Sequence, residues 1–370
     1  MSQPDPTSDL ETLRNHIAST CIHCGRCERE CAFLQRYGDP GHLAQKTQTN
    51  DPGHDHIPFS CSLCGLCSEV CPRDLEMAKM FLAMRRDIVD QGRGRYPGHR
   101  GLLNYERLGT SRWLSGSFLP PACETIYFPG CALTGSRPGI TRRLITHLQR
   151  QIPNLGVVLN CCGKPSHDLG RQPEFANHFI PLKNELLQRG IRRVLVNCPN
   201  CHAVFRRYGA PLEVRTVYES LAAQPLPEAT RLSGTVVVHD PCVMRHNQAT
   251  QSAVRQLLDN LGEWIDPVKH SGRLTRCCGE GGAVHGVNPR LAESWAKRHA
   301  KEAHGEQLVT YCAGCAQHLD RHTPTSHILD LIFAPSTALG GIKTVKAPFS
   351  YLQRWLLKRY LRRHYRRNTL

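Results

Sequence analysis

The 370-residue chain is short of several features that would give it an ordinary reading. Aromatic residues make up only 6% of it, and acidic residues number 31 against 47 Lys and Arg. No apolar run approaches the roughly 18 residues needed to cross a bilayer, so no spanning helix is expected. No G-x-G-x-x-G occurs, so any flavin or NAD must come from a partner; Gly279, Gly281 and Gly282 follow a cysteine pair rather than opening a strand–turn–helix fingerprint. Met1–Leu10 carries Asp5 and Asp9 and no apolar leader core, so a cytoplasmic setting is expected. After Asp330 there is no acidic residue, while Lys343, Lys346, Arg354, Lys358, Arg359, Arg362, Arg363, Arg366 and Arg367 follow.

Cysteine is what the chain has in excess: nineteen, in a setting where disulfide scaffolds are not expected and metal or redox chemistry is. Eight fall in two C-x2-C-x2-C-x3-C quartets, Cys21, Cys24, Cys27, Cys31 and Cys61, Cys64, Cys67, Cys71. Ten fall in two C…CC…C-x2-C sets, Cys131, Cys161, Cys162, Cys198, Cys201 and Cys242, Cys277, Cys278, Cys312, Cys315. Only Cys123 is left over, and it reads as an unliganded buried thiol, with a spare ligand as the alternative. Two copies of each of two patterns indicate iron–sulfur chemistry. Structural zinc is the bland reading, but zinc takes pairs rather than evenly spaced quartets. Thiolate-held clusters carry negative charge, so the assembled protein should be less basic than the formal +16.

The expected class is α+β multidomain. A polar lead (1–20) ends in a helical stretch with Leu10, Leu13 and Ile17. A helical ferredoxin-type domain (21–90) follows, with Gly38–Pro58 read as loop and an amphipathic helix from Leu75 through Ile88. A linker (91–124), two α/β modules (125–228 and 229–340) and a basic tail (341–370) complete the chain. In each module an apolar strand ends in the opening cysteine (Ile126–Cys131, Val236–Cys242) and another precedes the C-x2-C (Val194–Asn197, Leu308–Tyr311). The duplication implies a pseudo-twofold pair with cysteines at strand ends, where sites in open α/β sheets collect.

The quartets resemble those of two-cluster ferredoxins. That resemblance implies that Cys21, Cys24 and Cys27 share a [4Fe–4S] cube with Cys71, and Cys61, Cys64 and Cys67 with Cys31. The five-cysteine sets, in Tyr127-Phe-Pro-Gly-Cys131, Cys161-Cys-Gly-Lys-Pro165, Cys198-Pro-Asn-Cys201, His239-Asp-Pro-Cys242, Cys277-Cys-Gly-Glu-Gly-Gly282 and Cys312-Ala-Gly-Cys315, resemble the cysteine-rich CCG-domain proteins typified by the catalytic subunit of heterodisulfide reductase. The resemblance implies one noncubane [4Fe–4S] cluster per set, the ten cysteines being catalytic ligands that together cleave a disulfide or oxidise a thiol pair. The 30-residue gap from Cys131 to Cys161 is shorter than that pattern's usual one. The alternative is an electron-transfer subunit serving an FAD-linked glycolate, lactate or glycerol-3-phosphate dehydrogenase, with no substrate site of its own; a zinc scaffold is the third.

Expected partners are a flavoprotein or membrane cytochrome, with nucleic acid disfavoured. His239, His246 and His285 are candidate proton donors against a default of packing or surface roles. Lys164 is either an anion-attracting or an ordinary surface lysine. The tail places Phe349, Leu352, Leu356 and Tyr360 on one helical face and Arg354, Lys358, Arg362 and Arg366 opposite, a pattern fit for an anionic membrane face or a partner protein.

Overall fold

The computed structural model describes residues 10–47, 49–226, 234–338 and 344–367. The start of the lead, the 228/229 boundary, the 341 start of the tail with Lys343, and the Arg366 side chain lie outside the described residues.

The N-terminal region is helical. Ile17 from the helix Leu10–Thr20, Phe33, Leu34 and Leu43 close over Met77, Met80, Phe81 and Met84 of the helix Met77–Asp90. The latter side chains recur at three- and four-residue spacing, which fixes the buried face. Gly38–Pro58, expected as loop, instead contains the helix Pro40–Lys46. Asp39 caps it by accepting from His42 N at 3.0 Å, and Pro40 opens it with its fixed φ.

Nine strands follow among the described residues: β1 Gly116–Phe118, β2 Thr125–Phe128, β3 Gly156–Leu159, β4 Arg193–Val196, β5 Glu213–Thr216, β6 Gly234–His239, β7 Glu263–Asp266, β8 Gln307–Thr310 and β9 Thr325–His327. They form two sheets, ordered β1-β3-β2-β4-β5 and β7-β6-β8-β9. Apart from antiparallel β1 every pairing is parallel. In both sheets the module's first parallel strand lies between its second and third, so the order reverses direction at β2/β4 and at β6/β8. The strands before the cysteines occur where the apolar runs place them. The intervening helices include Gln172–Gln188 and Pro289–Glu302.

One apolar cluster draws on both modules, joining Tyr127, Leu144 and Tyr218 to Val238, Leu257 and Ile328. Tyr218 Oη donates to Asn197 O at 2.9 Å and to Tyr311 O at 3.0 Å, and Arg137 pairs with Asp330 across the same seam at 2.7 Å, both side chains buried.

Two expectations need correction. The segment 91–124 is not a bare linker: it holds the helix Arg100–Thr110 and β1, which extends the first sheet. The tail helix Phe349–Arg367 is docked on the chain itself by the face read as the basic one. Arg354, Leu357 and Leu361 are buried, and Arg354 Nη2 donates to Gly109 O at 3.3 Å. The stripe of Phe349 (66% exposed), Leu352, Leu356 and Tyr360 faces outward. Two apolar repeats run along this helix, and packing against Phe118 and Leu133 selects the Leu357–Leu361–Tyr365 one.

Candidate metal centres

All nineteen cysteines are free. The parallel strands end at a common edge and the cysteines follow those ends. Cys131 follows β2, Cys161 follows β3 and Cys198 follows β4. Cys242, Cys277 and Cys312 stand in the matching loops of the second module, Cys242 and Cys312 after β6 and β8. The openings of β2/β4 and β6/β8 are topological switch points, where neighbouring loops diverge and leave room for a ligand.

Each five-cysteine set closes into a chain of sulfur contacts in the same order. In the first module Cys131 meets Cys161, Cys161 meets Cys162, Cys162 meets Cys201 and Cys201 meets Cys198. In the second, Cys242 meets Cys277, Cys277 meets Cys278, Cys278 meets Cys315 and Cys315 meets Cys312, with Cys278 and Cys315 sulfurs 3.1 Å apart. The short Cys131–Cys161 offset therefore does not keep Cys131 out of the set. Contacts from Cys161 and Cys201 pull the Cys162 thiol down to about 6, and contacts from Cys242 and Cys278 pull Cys277 down, while contacts to neighbouring sulfurs push Cys131, Cys201, Cys242 and Cys315 up. Sharing of this kind lowers Cys162, Cys277 and Cys312 while it raises the sulfurs they touch. A thiophilic cation is the chemistry that ionises the rest, so the donor set fits an iron–sulfur centre.

The quartets group across their sequence order. Cys21, Cys24, Cys27 and Cys71 line one hollow, while Cys31 lies with Cys61, Cys64 and Cys67. Burial pushes the Cys27, Cys31 and Cys61 thiols up to about 12. Cys24 of the first group and its neighbour Ile22 are exposed, whereas Cys31, Cys61, Cys64 and Cys67 are half-buried.

Neighbouring groups lie within electrostatic reach of one another. Cys67 feels the charge of Cys27, which links the quartets. Cys64 lies close enough to Cys277 and Cys242 for their charges to act on it and be acted on. Glycine makes that approach possible: a Cβ on Gly282, at φ 60°, would stand 2.6 Å from Cys61 O, and one on Gly281 2.7 Å from Ser62 O. The two five-cysteine sets then face one cavity of about 1460 Å³, lined by Cys131, Cys161, Cys162, Cys198 and Cys201 and by Cys242, Cys278, Cys312 and Cys315.

Residues 17–75 match the 4Fe-4S dicluster domain family, and residues 125–206 and 236–320 each match the cysteine-rich (CCG) domain family. The chain carries a 4Fe-4S dicluster domain followed by two cysteine-rich CCG domains. Its relatives include one component of the fumarate reductase (CoM/CoB) of Methanothermobacter marburgensis, 24% identical over 353 residues, covering 86% of this chain and 69% of the relative. A component of the dihydromethanophenazine:CoB–CoM heterodisulfide reductase of Methanosarcina barkeri is 24% identical, covering 90% and 97%. The glycolate oxidase iron–sulfur subunit of Escherichia coli is also 24% identical, covering 85% and 93%. Likeness to an aspartate racemase of Picrophilus torridus, at a TM-score of 0.25 and 12% identity, is too slight to inform the fold. The chain is thus an iron–sulfur electron-transfer protein related to that heterodisulfide reductase component and to the glycolate oxidase iron–sulfur protein.

Within this CCG protein Cys123 stands apart. Its sulfur donates to Thr125 O at 3.3 Å and abuts Gly156, both at the starts of strands, opposite the edge where the other sulfurs gather. Lys164 is ion-paired with Asp168 beside the cavity. His246 is exposed and lies 3.6 Å from Glu69, and His285 is exposed, so neither is enclosed with the sulfurs; His239 is. Among the described residues no helix is long and apolar enough to cross a membrane.

Sequence reasoning missed Arg85. Fully buried, its guanidinium donates to Pro58 O (3.0 Å) and Cys61 O (2.5 Å) of the ferredoxin half, Asp168 O (2.6 Å) of the first module and Gly282 O (3.0 Å) of the second. It ties three regions at one point. Glu30, beside Cys31, makes a second tie, to Lys269, His270 and Arg276. Burial alone would raise Glu30, but hydrogen bonds from Lys269, His270 and Arg276 hold its carboxyl down at about 2.

Proposed function

We propose that this CCG protein is a heterodisulfide-reductase-like oxidoreductase that reduces a disulfide, or in reverse oxidises a thiol pair, in the cavity between its two CCG domains. The observation that carries the reading is that both five-cysteine sets open onto that one cavity. Cys21, Cys24, Cys27 and Cys71 would hold one cube, Cys61, Cys64, Cys67 and Cys31 the other, and each five-cysteine set a noncubane [4Fe–4S] centre; no flavin or NAD site is assigned to the chain. When bound, such centres supply single-electron transfer and a sulfur-accepting metal. The duplicated strand order favours a pseudo-twofold relation between the modules.

The chain's own residues keep the sites adjacent. Arg85 pins the loop of the second quartet against both CCG domains, and Gly281 and Gly282 let that loop approach the second set. The reaction RSSR + 2e⁻ + 2H⁺ → 2 RSH breaks one S–S bond, and its two protons come from solvent reaching the cavity. Electrons must come from a partner, a flavoprotein or a membrane cytochrome. The exposed rim at Ile22 and Cys24 and the outward tail stripe are the surfaces assigned to that partner, with an anionic membrane as the other outcome of a vesicle-binding test on the tail.

The second reading, an electron-transfer subunit of an FAD-linked dehydrogenase, is favoured by the near full-length match to the glycolate oxidase iron–sulfur protein. The two separate by treating the oxidised, anaerobically purified holoprotein with small thiols. A new thiol-dependent paramagnetic signal, lost in Cys162→Ser and Cys278→Ser, is the expected result. No such signal, together with no disulfide reduction from an artificial donor, selects the electron-transfer reading.

A further inference from the structure

The second five-cysteine set encloses an imidazole that has no protein partner. His239 ends β6, three residues before Cys242, and is 1% exposed. Both of its ring nitrogens are buried and neither meets a hydrogen-bond partner. One ring nitrogen, Cys278 Sγ and Cys315 Sγ all lie within 4.8 Å of one another. The His299 ring packs edge-on at 4.5 Å but directs its own Nε2 to Cys277 O at 3.2 Å, so it offers His239 no bond.

A neutral imidazole carries one N–H and one lone pair, and native interiors leave few such groups unanswered. What the ring faces is the sulfur set. The first CCG domain supplies an internal contrast. The residue three before Cys131 is Phe128, which packs edge-on against Phe205 at 5.1 Å within the apolar core. Among the described residues no comparable His–Cys–Cys triad occurs in that domain.

We infer that His239 donates its ring N–H to a sulfur of the metal centre held by the second set, and that it places this centre at a higher potential than the first. The inference rests on the reading that the set holds an iron–sulfur centre. A hydrogen bond to a cluster sulfur favours the reduced, more negative state and so raises the potential. His239 is a positioning and tuning residue here; its proton stays on the ring, and only the electron count of the centre changes.

The test uses anaerobically reconstituted holoprotein, wild type and His239→Phe, with potentiometric EPR, and wild type labelled with ¹⁵N-histidine for pulsed EPR. The expected result is a second-centre midpoint shifted negative in His239→Phe at unchanged iron content, with partial return in His239→Asn, whose amide can donate. A histidine nitrogen coupling on the second-centre signal of the wild type should vanish in His239→Phe. An unchanged midpoint, or a wild-type signal without histidine coupling, overturns the inference. Should His239→Phe fail to assemble the centre, the labelled wild type decides alone. Iron absent from the second set of wild type, shown by metal analysis of Cys162→Ser, would overturn the underlying reading as well.

Discussion

The strand before the opening cysteine ends on Phe128 in the first CCG domain and on His239 in the second. Around that one difference the domains share a strand order and a sulfur-contact order. Their surroundings differ further. The second set has the ferredoxin half against it, through Cys64 and the Gly281–Gly282 loop. The first set is covered by chain from elsewhere: Tyr105 Oη donates to Cys131 O at 2.7 Å, and buried Arg354 of the tail helix lies close enough to act on Cys131. The two CCG domains thus offer similar cradles, one with the second quartet beside it and the other covered by Tyr105 and the tail helix.

Arg85 offers the hardest way to break this contrast, because it holds both domains to the ferredoxin half. Arg85→Ala leaves four buried carbonyls without their donor, and a loss of about 3–5 kcal/mol is expected in denaturant unfolding. Arg85→Lys should rescue little, since one ammonium cannot span a fork of four acceptors. A milder pair compares the loops after the cysteine pairs. Gly282→Ala forces a Cβ toward Cys61 O at a positive φ, for an expected cost of about 2–4 kcal/mol and a visibly loosened ferredoxin half in hydrogen exchange. Gly163→Ala, at φ 76° in the first domain, presses on the Phe175 ring and meets His178 at ordinary contact distance, and about 1–2 kcal/mol is expected.

The smallest effect concerns Glu30. Its carboxyl is depressed in the folded state to about 2 from an ordinary 4.5, so its contribution is complete above 4.5 and is lost as pH falls from there towards 2. Glu30→Gln should cost about 1–2 kcal/mol at pH 7, a modest loss because water reaches part of the cluster. The variant and the wild type should converge in stability towards pH 2; a constant gap across that window would mean that the Glu30 charge is not what ties the halves.

How much of this is legible in the sequence follows from which interactions are local. Spacing gives the four cysteine sets, and β-branched runs ending in cysteine give four of the nine strands, because both signals sit within a few residues. The positions of Cys161 and Cys277, some 30 residues from their opening cysteines, are readable by resemblance. Arg85 is not readable: on an amphipathic helix an arginine looks like solvent-facing charge, and its four acceptors lie up to 197 residues away. The tail misleads for the same reason. It carries two apolar repeats, and only contact with distant Phe118 and Leu133 decides which is buried. His239 stands out in the sequence, but its lack of partners is a property of the packed interior and not of any motif.

The row of sites is tested most directly by following anaerobic reduction of each centre, by rapid-freeze EPR with a low-potential donor, in Cys162→Ser and Cys278→Ser proteins side by side. If the second CCG domain alone is wired to the ferredoxin half, its centre reduces at the wild-type rate in Cys162→Ser, whereas the first centre stays oxidised in Cys278→Ser. A first centre that reduces as fast in Cys278→Ser as in wild type would contradict that arrangement.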